Sequence, residues 1–229
     1  MKYVYILFIG LCFSCGKEKS IQLPEVSHSN IHEIMDTSPA YIFYNENEKD
    51  SVELNRKNLI ISTNWLVNVD KRLTLRQVIP SIKILQEKKR DAKMHKNEAA
   101  KNYYSCNDTS IKNLGFIDFT DIVYHNGIDG NIVESQGIYE TLASETTNHI
   151  LSILFKDKDS ISINSSPTSK SEFINRLKYM DSIQDQIMGI VYLKFNENLT
   201  FQEYITYKSM LSQLKLKHAT ISNDVYIFD

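Results

Sequence analysis

Val191-Tyr192-Leu193-Lys194-Phe195-Asn196-Glu197-Asn198-Leu199-Thr200-Phe201 is the stretch on which the fold turns. Apolar residues fill its first part, a polar turn follows, and Thr200 stands three positions before Glu203. That pattern is a buried strand led by a tight turn into a helix closed by a capping box, in which the threonine serves the third helical amide and the glutamate reaches back to the threonine amide. An earlier stretch has the same form. Asn68-Val69-Asp70-Lys71-Arg72-Leu73-Thr74-Leu75 lines up with residues 194–201, and Thr74 has Gln77 as its box partner. The helix faces agree too, with Leu75, Val78, Ile79 and Leu85 opposite Phe201, Tyr204, Ile205 and Leu211.

Upstream of each unit lies a second matching block. Lys49-Asp50-Ser51-Val52-Glu53-Leu54-Asn55 pairs with Lys158-Asp159-Ser160-Ile161-Ser162-Ile163-Asn164, and each follows an apolar run, Tyr41 to Tyr44 or Ile150 to Phe155. Both read as hairpins. Two aligned blocks in the same order point to an internal duplication. Further strands are expected at Ile60-Ile61, Trp65 to Val69, Phe116 to Phe119 and Ile122 to Tyr124, and Pro80 should kink the helix that starts after Thr74. The second copy gains a helix opened by Ser169 and Glu172, while the first has a long polar extension from Glu87 to Asn107. The second core should rest on Phe173, Leu177, Ile190, Tyr192, Phe201, Ile205 and Leu211.

The N-terminus has a different character. Met1-Lys2 precedes an apolar run from Tyr3 to Phe13, too short for the ~20 residues that cross a bilayer. It ends at Ser14-Cys15-Gly16, ahead of polar Lys17-Glu18-Lys19-Ser20. This resembles a bacterial lipoprotein signal, with Cys12 standing where that pattern usually has an aliphatic residue. The resemblance implies cleavage before Cys15 and lipidation of its thiol, which leaves Cys106 as the one remaining thiol, structural and with no disulfide partner. Residues 16–39, punctuated by Pro24 and Pro39, read as a tether in which Ile31, Ile34 and Met35 could form a short helix. The expected organisation is a signal peptide over 1–14, lipidated cysteine and tether over 15–39, a first module over 40–124, a linker over 125–147 and a second module over 148–229.

Composition narrows the function. The chain has 229 residues, 42% hydrophobic and 24% charged, so it can bury a core. With a formal charge of −2 there is no global field to draw it onto nucleic acid, and seven glycines leave little material for phosphate-binding loops. No G-x-S-x-G, H-E-x-x-H or G-x-x-x-x-G-K-[ST] string occurs, so neither a catalytic residue nor a cofactor is implied. Of six histidines only His28 and His32 have ligand-like spacing, and without a nearby third ligand they read as part of the solvated tether, so no metal site is expected.

The order strand, strand, helix, strand, capped helix, strand over residues 149–229, together with the stretch 191–201, resembles the periplasmic domain of ExbD/TolR proteins. The fold class is therefore expected to be α+β, as two tandem small sheet-plus-helix modules of ExbD/TolR periplasmic type. That family also has a membrane-spanning helix with an acidic residue used in proton coupling. The apolar run here is short and carries no acid, so the resemblance implies only the partner-binding part. The expected function is a non-enzymatic envelope lipoprotein, anchored to the outer membrane by lipid, that contacts envelope proteins or cell wall in biopolymer transport or envelope energy transduction. The alternative is an envelope glycan or cell-wall hydrolase with dispersed carboxylates.

Two surface features accompany this reading. Lys88, Lys89, Arg90, Lys93 and Lys96, flanked by Lys83 and Lys101, form a basic stripe suited to anionic polymer or headgroups. Asp50-Ser51-Val52, Asp159-Ser160-Ile161 and Asp181-Ser182-Ile183 resemble a periplasmic O-glycosylation consensus, which would modify Ser51, Ser160 and Ser182. Because the anchor depends on one thiol, Cys15→Ser should release the protein from membranes or leave it uncleaved in fractionated cells; unchanged membrane attachment and mature size would reject the lipidation.

Overall fold

Residues 19–127, 150–183 and 189–229 are described by the computed structural model. The first half contributes β1 (Glu25–Val26), β2 (Thr37–Tyr44), β3 (Val52–Asn55), β4 (Asn64–Val69), α1 (Leu75–Arg90), β5 (Asn102–Asp108), β6 (Asn113–Asp118) and β7 (Val123–Asn126). The second contributes β8 (Ile150–Phe155), β9 (Ser160–Ile163), β10 (Ser166–Ser169), α2 (Lys170–Ser182), β11 (Gly189–Asn196), α3 (Phe201–Ser212) and β12 (Ala219–Phe228). They form two six-stranded mixed sheets, an α+β arrangement.

The sheets share a topology. In the first, β2 pairs antiparallel with β3 and parallel with β4, and β4 leads through α1 to parallel β5. In the second, β8 pairs antiparallel with β9 and parallel with β11, and β11 leads through α3 to parallel β12. The strand-to-helix turns match bond for bond. Asp70 Oδ1 accepts from Arg72 N at 3.1 Å, and Asn196 Oδ1 accepts from Asn198 N at 2.8 Å. Each is an Asx turn that bends the chain into its capping box. The boxes then close, Thr74 N donating to Gln77 Oε1 at 2.8 Å and Thr200 N to Glu203 Oε2 at 2.7 Å.

These two turns meet each other. Thr74 and Thr200 face across an antiparallel bridge. Leu75 N donates to Leu199 O at 2.9 Å and Phe201 N to Leu73 O at 2.7 Å; Arg76 N reaches Glu197 O at 2.9 Å and Gln202 N reaches Lys71 O at 3.2 Å. The first amides of a helix have no partner within it. Here each helix start is satisfied by the other half's turn, so the halves are related by a local pseudo-two-fold axis at this joint.

The core is continuous across the joint. Phe201 and Tyr204 of α3 meet Tyr104 of β5 edge-on, while Tyr204 and Tyr207 meet Phe195 and Phe155 of the second sheet. The buried hydroxyls of Tyr104, Tyr124 and Tyr204 form a chain with 2.8 Å steps, which satisfies polar groups that would be costly to bury alone.

Several expectations change. The two modules are not separate, because β7 from the first half pairs with β12 as an edge of the second sheet. Residues 19–39 are not a free tether. Gln22 O accepts from Lys71 N at 2.7 Å, β1 pairs with β5, Ile31 bridges Phe116, and no helix forms around Ile31. The polar extension runs into β5 and holds all but its last residue, and Ile60-Ile61 lies in a turn. Ile190 is half-buried, whereas the other six expected core residues are buried. Ser169 caps α2, but its hydroxyl donates to Glu172 Oε2 at 3.0 Å instead of accepting a helical amide. Pro80 lies within α1, which runs on to Arg90; its ring and Arg76, whose carbonyl loses a donor, are both exposed to water. The expected linker begins within β7, and residues 128–149 lie outside the described part.

Phe155 lies in the second sheet, far along the chain from Trp65 in the first. Phe155→Ala should cost ~3–5 kcal/mol and, in denaturant titrations, shift the fluorescence transition of the single Trp65 by the same amount as the circular dichroism transition. A Trp65 transition left in place would show the halves unfolding separately.

Candidate functional site

The basic stripe divides where α1 ends. Lys83, Lys89, Arg90 and Lys96 line a cleft of about 520 Å³, with Glu98 and Asp121 also on its wall, while Lys88 and Lys93 are exposed outside that lining. Arg90 and Lys96 pair with Asp91 and Glu98 at 3.6 and 2.9 Å, and Lys101 pairs with Asp118 at 2.9 Å. Such exposed pairs contribute little to stability. Basic residues also suit the negative end of α1.

Lys89 does not present a charge to a ligand. Its ammonium donates to Thr63 O at 3.2 Å, Lys101 O at 3.0 Å and Asn102 Oδ1 at 3.0 Å, and it lies 5.0 Å from the centre of the Trp65 ring. All three of its donors are used. Burial pushes its pKa down to about 8. Lys89 therefore ties α1 to the start of β5, and the surface available to an anion is set by Lys83, Lys88, Arg90, Lys93 and Lys96.

A second constellation lies where the N-terminal segment crosses the end of β5. Asp108 has a fully buried side chain. Its Oδ2 accepts from Ser29 N at 2.7 Å, and its Oδ1 accepts from Ser110 N and Oγ at 2.9 and 2.6 Å. The Ser110 hydroxyl, with these amides, holds the carboxyl down at about 2. His32 Nδ1 is 3.9 Å from Oδ2, and one ligand atom each of His28, His32 and Asp108 lies within 4.8 Å of the others. The segment is held firmly between the histidines, since Ser29 Oγ donates to Phe116 O at 2.8 Å and Ser209 Oγ of α3 donates to His28 O at 3.2 Å. Gly115 permits this approach, because a Cβ there would stand 2.6 Å from that of Ser29. Beside it opens a cleft of about 290 Å³ lined by His28, Ile31, Phe116, Lys208 and Asn223. Burial pushes the Lys208 amine down to about 8.

The other expected positions are dispersed. Ser51 and Ser160 occupy equivalent places at the starts of β3 and β9, and Ser182 ends α2 with its hydroxyl donating to Tyr179 O at 2.7 Å. Asp181 beside it is buried and accepts from Lys217 N and His218 N at 2.7 and 2.8 Å, a structural role. Cys106 is a buried free thiol whose pKa burial pushes up to about 12. Cys15 lies outside the described residues. Among the described residues, the carboxyl groups displaced by the fold, Glu53, Asp70, Asp108 and Asp118, are displaced downward, held ionised by hydrogen bonds.

No protein-family model, no curated protein and no solved structure matches the chain.

The histidine and aspartate cluster could not be found from spacing, because its third member comes from a strand hidden in a polar stretch. The position of Lys89 gives a test. Lys89→Met keeps the stem but strands three acceptors and should cost ~1–3 kcal/mol. The folded pKa of Lys89 lies below its ordinary 10.5, so above about 8 the native state gives up a proton that the unfolded chain keeps, and stability rises with pH toward 10.5. Urea titrations at neutral pH and just below the range of unfolded tyrosines should show a smaller rise in the variant; an equal rise would contradict the assignment.

Proposed function

We propose that the protein is a non-enzymatic, lipid-anchored envelope component, an ExbD/TolR-like partner-binding body serving biopolymer transport or envelope energy transduction, and that it works pressed against its membrane. The observation that carries this reading is the docking of the N-terminal segment. Gln22 is already bonded to Lys71, and Lys19 donates to both Glu53 carboxylate oxygens. At ~3.3–3.6 Å per extended residue, the seven residues from Cys15 to Gln22 span at most ~25 Å. A lipid on Cys15 would then keep the body at the headgroups, whereas a free tether reaching to Pro39 would let it range several times farther.

Two further observations support a binding role. In the second unit a strand ends in a polar turn and a capped helix follows that packs on the sheet, which is in keeping with the resemblance. Among the described residues, the carboxyl groups that the fold displaces are lowered, the direction of structural carboxylates and opposite to that of a glycosidase general acid. The exposed amines of Lys88 and Lys93, beside Arg90 and Lys96, offer a surface for an anionic partner or wall polymer.

Photoreactive residues at Lys88 or Lys93 should give discrete envelope adducts in intact cells. A long Gly/Ser spacer inserted between Cys15 and Lys19 should weaken them by releasing the body from the surface. Adducts indifferent to the spacer would overturn the membrane-pressed reading. Turnover of wall fragments by purified protein, lost on a single carboxylate substitution with the fold intact, would establish the hydrolase.

A further inference from the structure

The segment from β1 to Ile31 brings two imidazoles to a carboxylate fixed by the fold. Asp108 sits at the end of β5 in register with Val26, and the following residue also returns to the segment, Thr109 N donating to Val26 O at 2.9 Å. Ser29, between the two histidines, is fixed on one side by Asp108 and on the other by Phe116. The backbone carrying both rings is therefore held in place, while the rings themselves are exposed, with His28 Nδ1 3.5 Å from the Ser110 hydroxyl.

Among the described residues no lysine or arginine pairs with the buried Asp108 carboxylate; the nearest group able to carry positive charge is His32, at 3.9 Å. A buried carboxylate facing two imidazoles, with its own orientation set by Ser29 and Ser110, has the donor set of a three-ligand metal site with its outer hydrogen bonds already made. The His28 and His32 ring centres lie 5.8 Å apart, tilted by 56°, so neither ring stacks to block the space between them. Ligand atoms within 4.8 Å of one another need only a modest rotation of the two exposed side chains to reach metal bonds of ~2.0–2.2 Å.

We propose that His28, His32 and Asp108 bind a divalent transition-metal ion of the zinc class, with water completing its coordination, and that the ion clips the N-terminal segment to the end of β5. Two imidazoles and one carboxylate suit zinc better than the all-oxygen shells preferred by calcium or magnesium. Because α3 also grips His28 O, the clip joins the segment to both halves of the molecule. Binding to the native state alone raises its stability as the ion is supplied.

The test is calorimetric titration of the purified full-length protein in detergent with zinc chloride, together with thermal unfolding with and without the ion. One equivalent should bind and the unfolding midpoint should rise. His28→Ala and His32→Ala should each weaken binding at least ~10-fold, the scale already seen for loss of outer-shell support. Both side chains are exposed, so the double variant should keep the metal-free midpoint of the native protein while losing the zinc-dependent rise; His95, His125, His149 and His218 remain in it as a control for adventitious binding. Absence of binding heat with an unmoved midpoint would overturn the proposal, and so would a double variant that binds zinc as tightly as the native protein. Asp108→Asn disturbs Ser29 as well, so the histidine variants decide the matter.

Discussion

Each capped helix at the centre of this molecule begins by giving its first two amide hydrogens to the other half of the chain. A helix start leaves several donors without partners, and a buried donor without one costs ~1–3 kcal/mol. Leu75 and Arg76 find theirs at Leu199 and Glu197, and Phe201 and Gln202 find theirs at Leu73 and Lys71. Neither half can complete its own helix. The buried aromatic contacts and the tyrosine hydroxyl chain extend this dependence into the core, and β7 extends it to the sheet edge. The two matching strand-turn-helix units thus form an interlocked pair.

The N-terminal segment packs on this frame. It runs past the Lys71 turn, pairs with β5 and ends against β6, held by both halves through Asp70, Asp108, Gln202 and Ser209. A lipidated cysteine a few residues before such a segment would fix distance and orientation together, which a flexible tether cannot. The same docking puts His28 and His32 beside the buried Asp108. Anchoring and ion binding would then share one structural element, and its seating on the body would govern how the binding surface faces the membrane.

Much of the frame was legible because local chemistry and global fold agree. The Asx turn, capping box and apolar helix face are short-range signals, and they recur at equivalent places in both halves. What the sequence hid is held by polar groups. β5 reads as an extension because Asn102, Ser105 and Asp108 are buried with polar side chains, and two of them bond to Lys89, Ser29 and Ser110. The docked segment lacks any period because it is held by backbone bonds and isolated side chains. Lys89 looks like part of a charged surface, since a sequence cannot show that carbonyls from two loops converge on its amine. The metal-ligating cluster was hidden for the same reason: its carboxylate lies on the strand that polarity concealed.

Native-state hydrogen exchange of individual amides tests the central claim most directly. In an ordinary helix the first-turn amides are open to water and exchange early. If each helix is capped by the opposite half, the amides of Leu75, Arg76, Phe201 and Gln202 should exchange only through the opening that unfolds the whole molecule, at the same free energy as the central strands β4 and β11. Fast exchange of these amides, with the strands still protected, would contradict the interlocked pair.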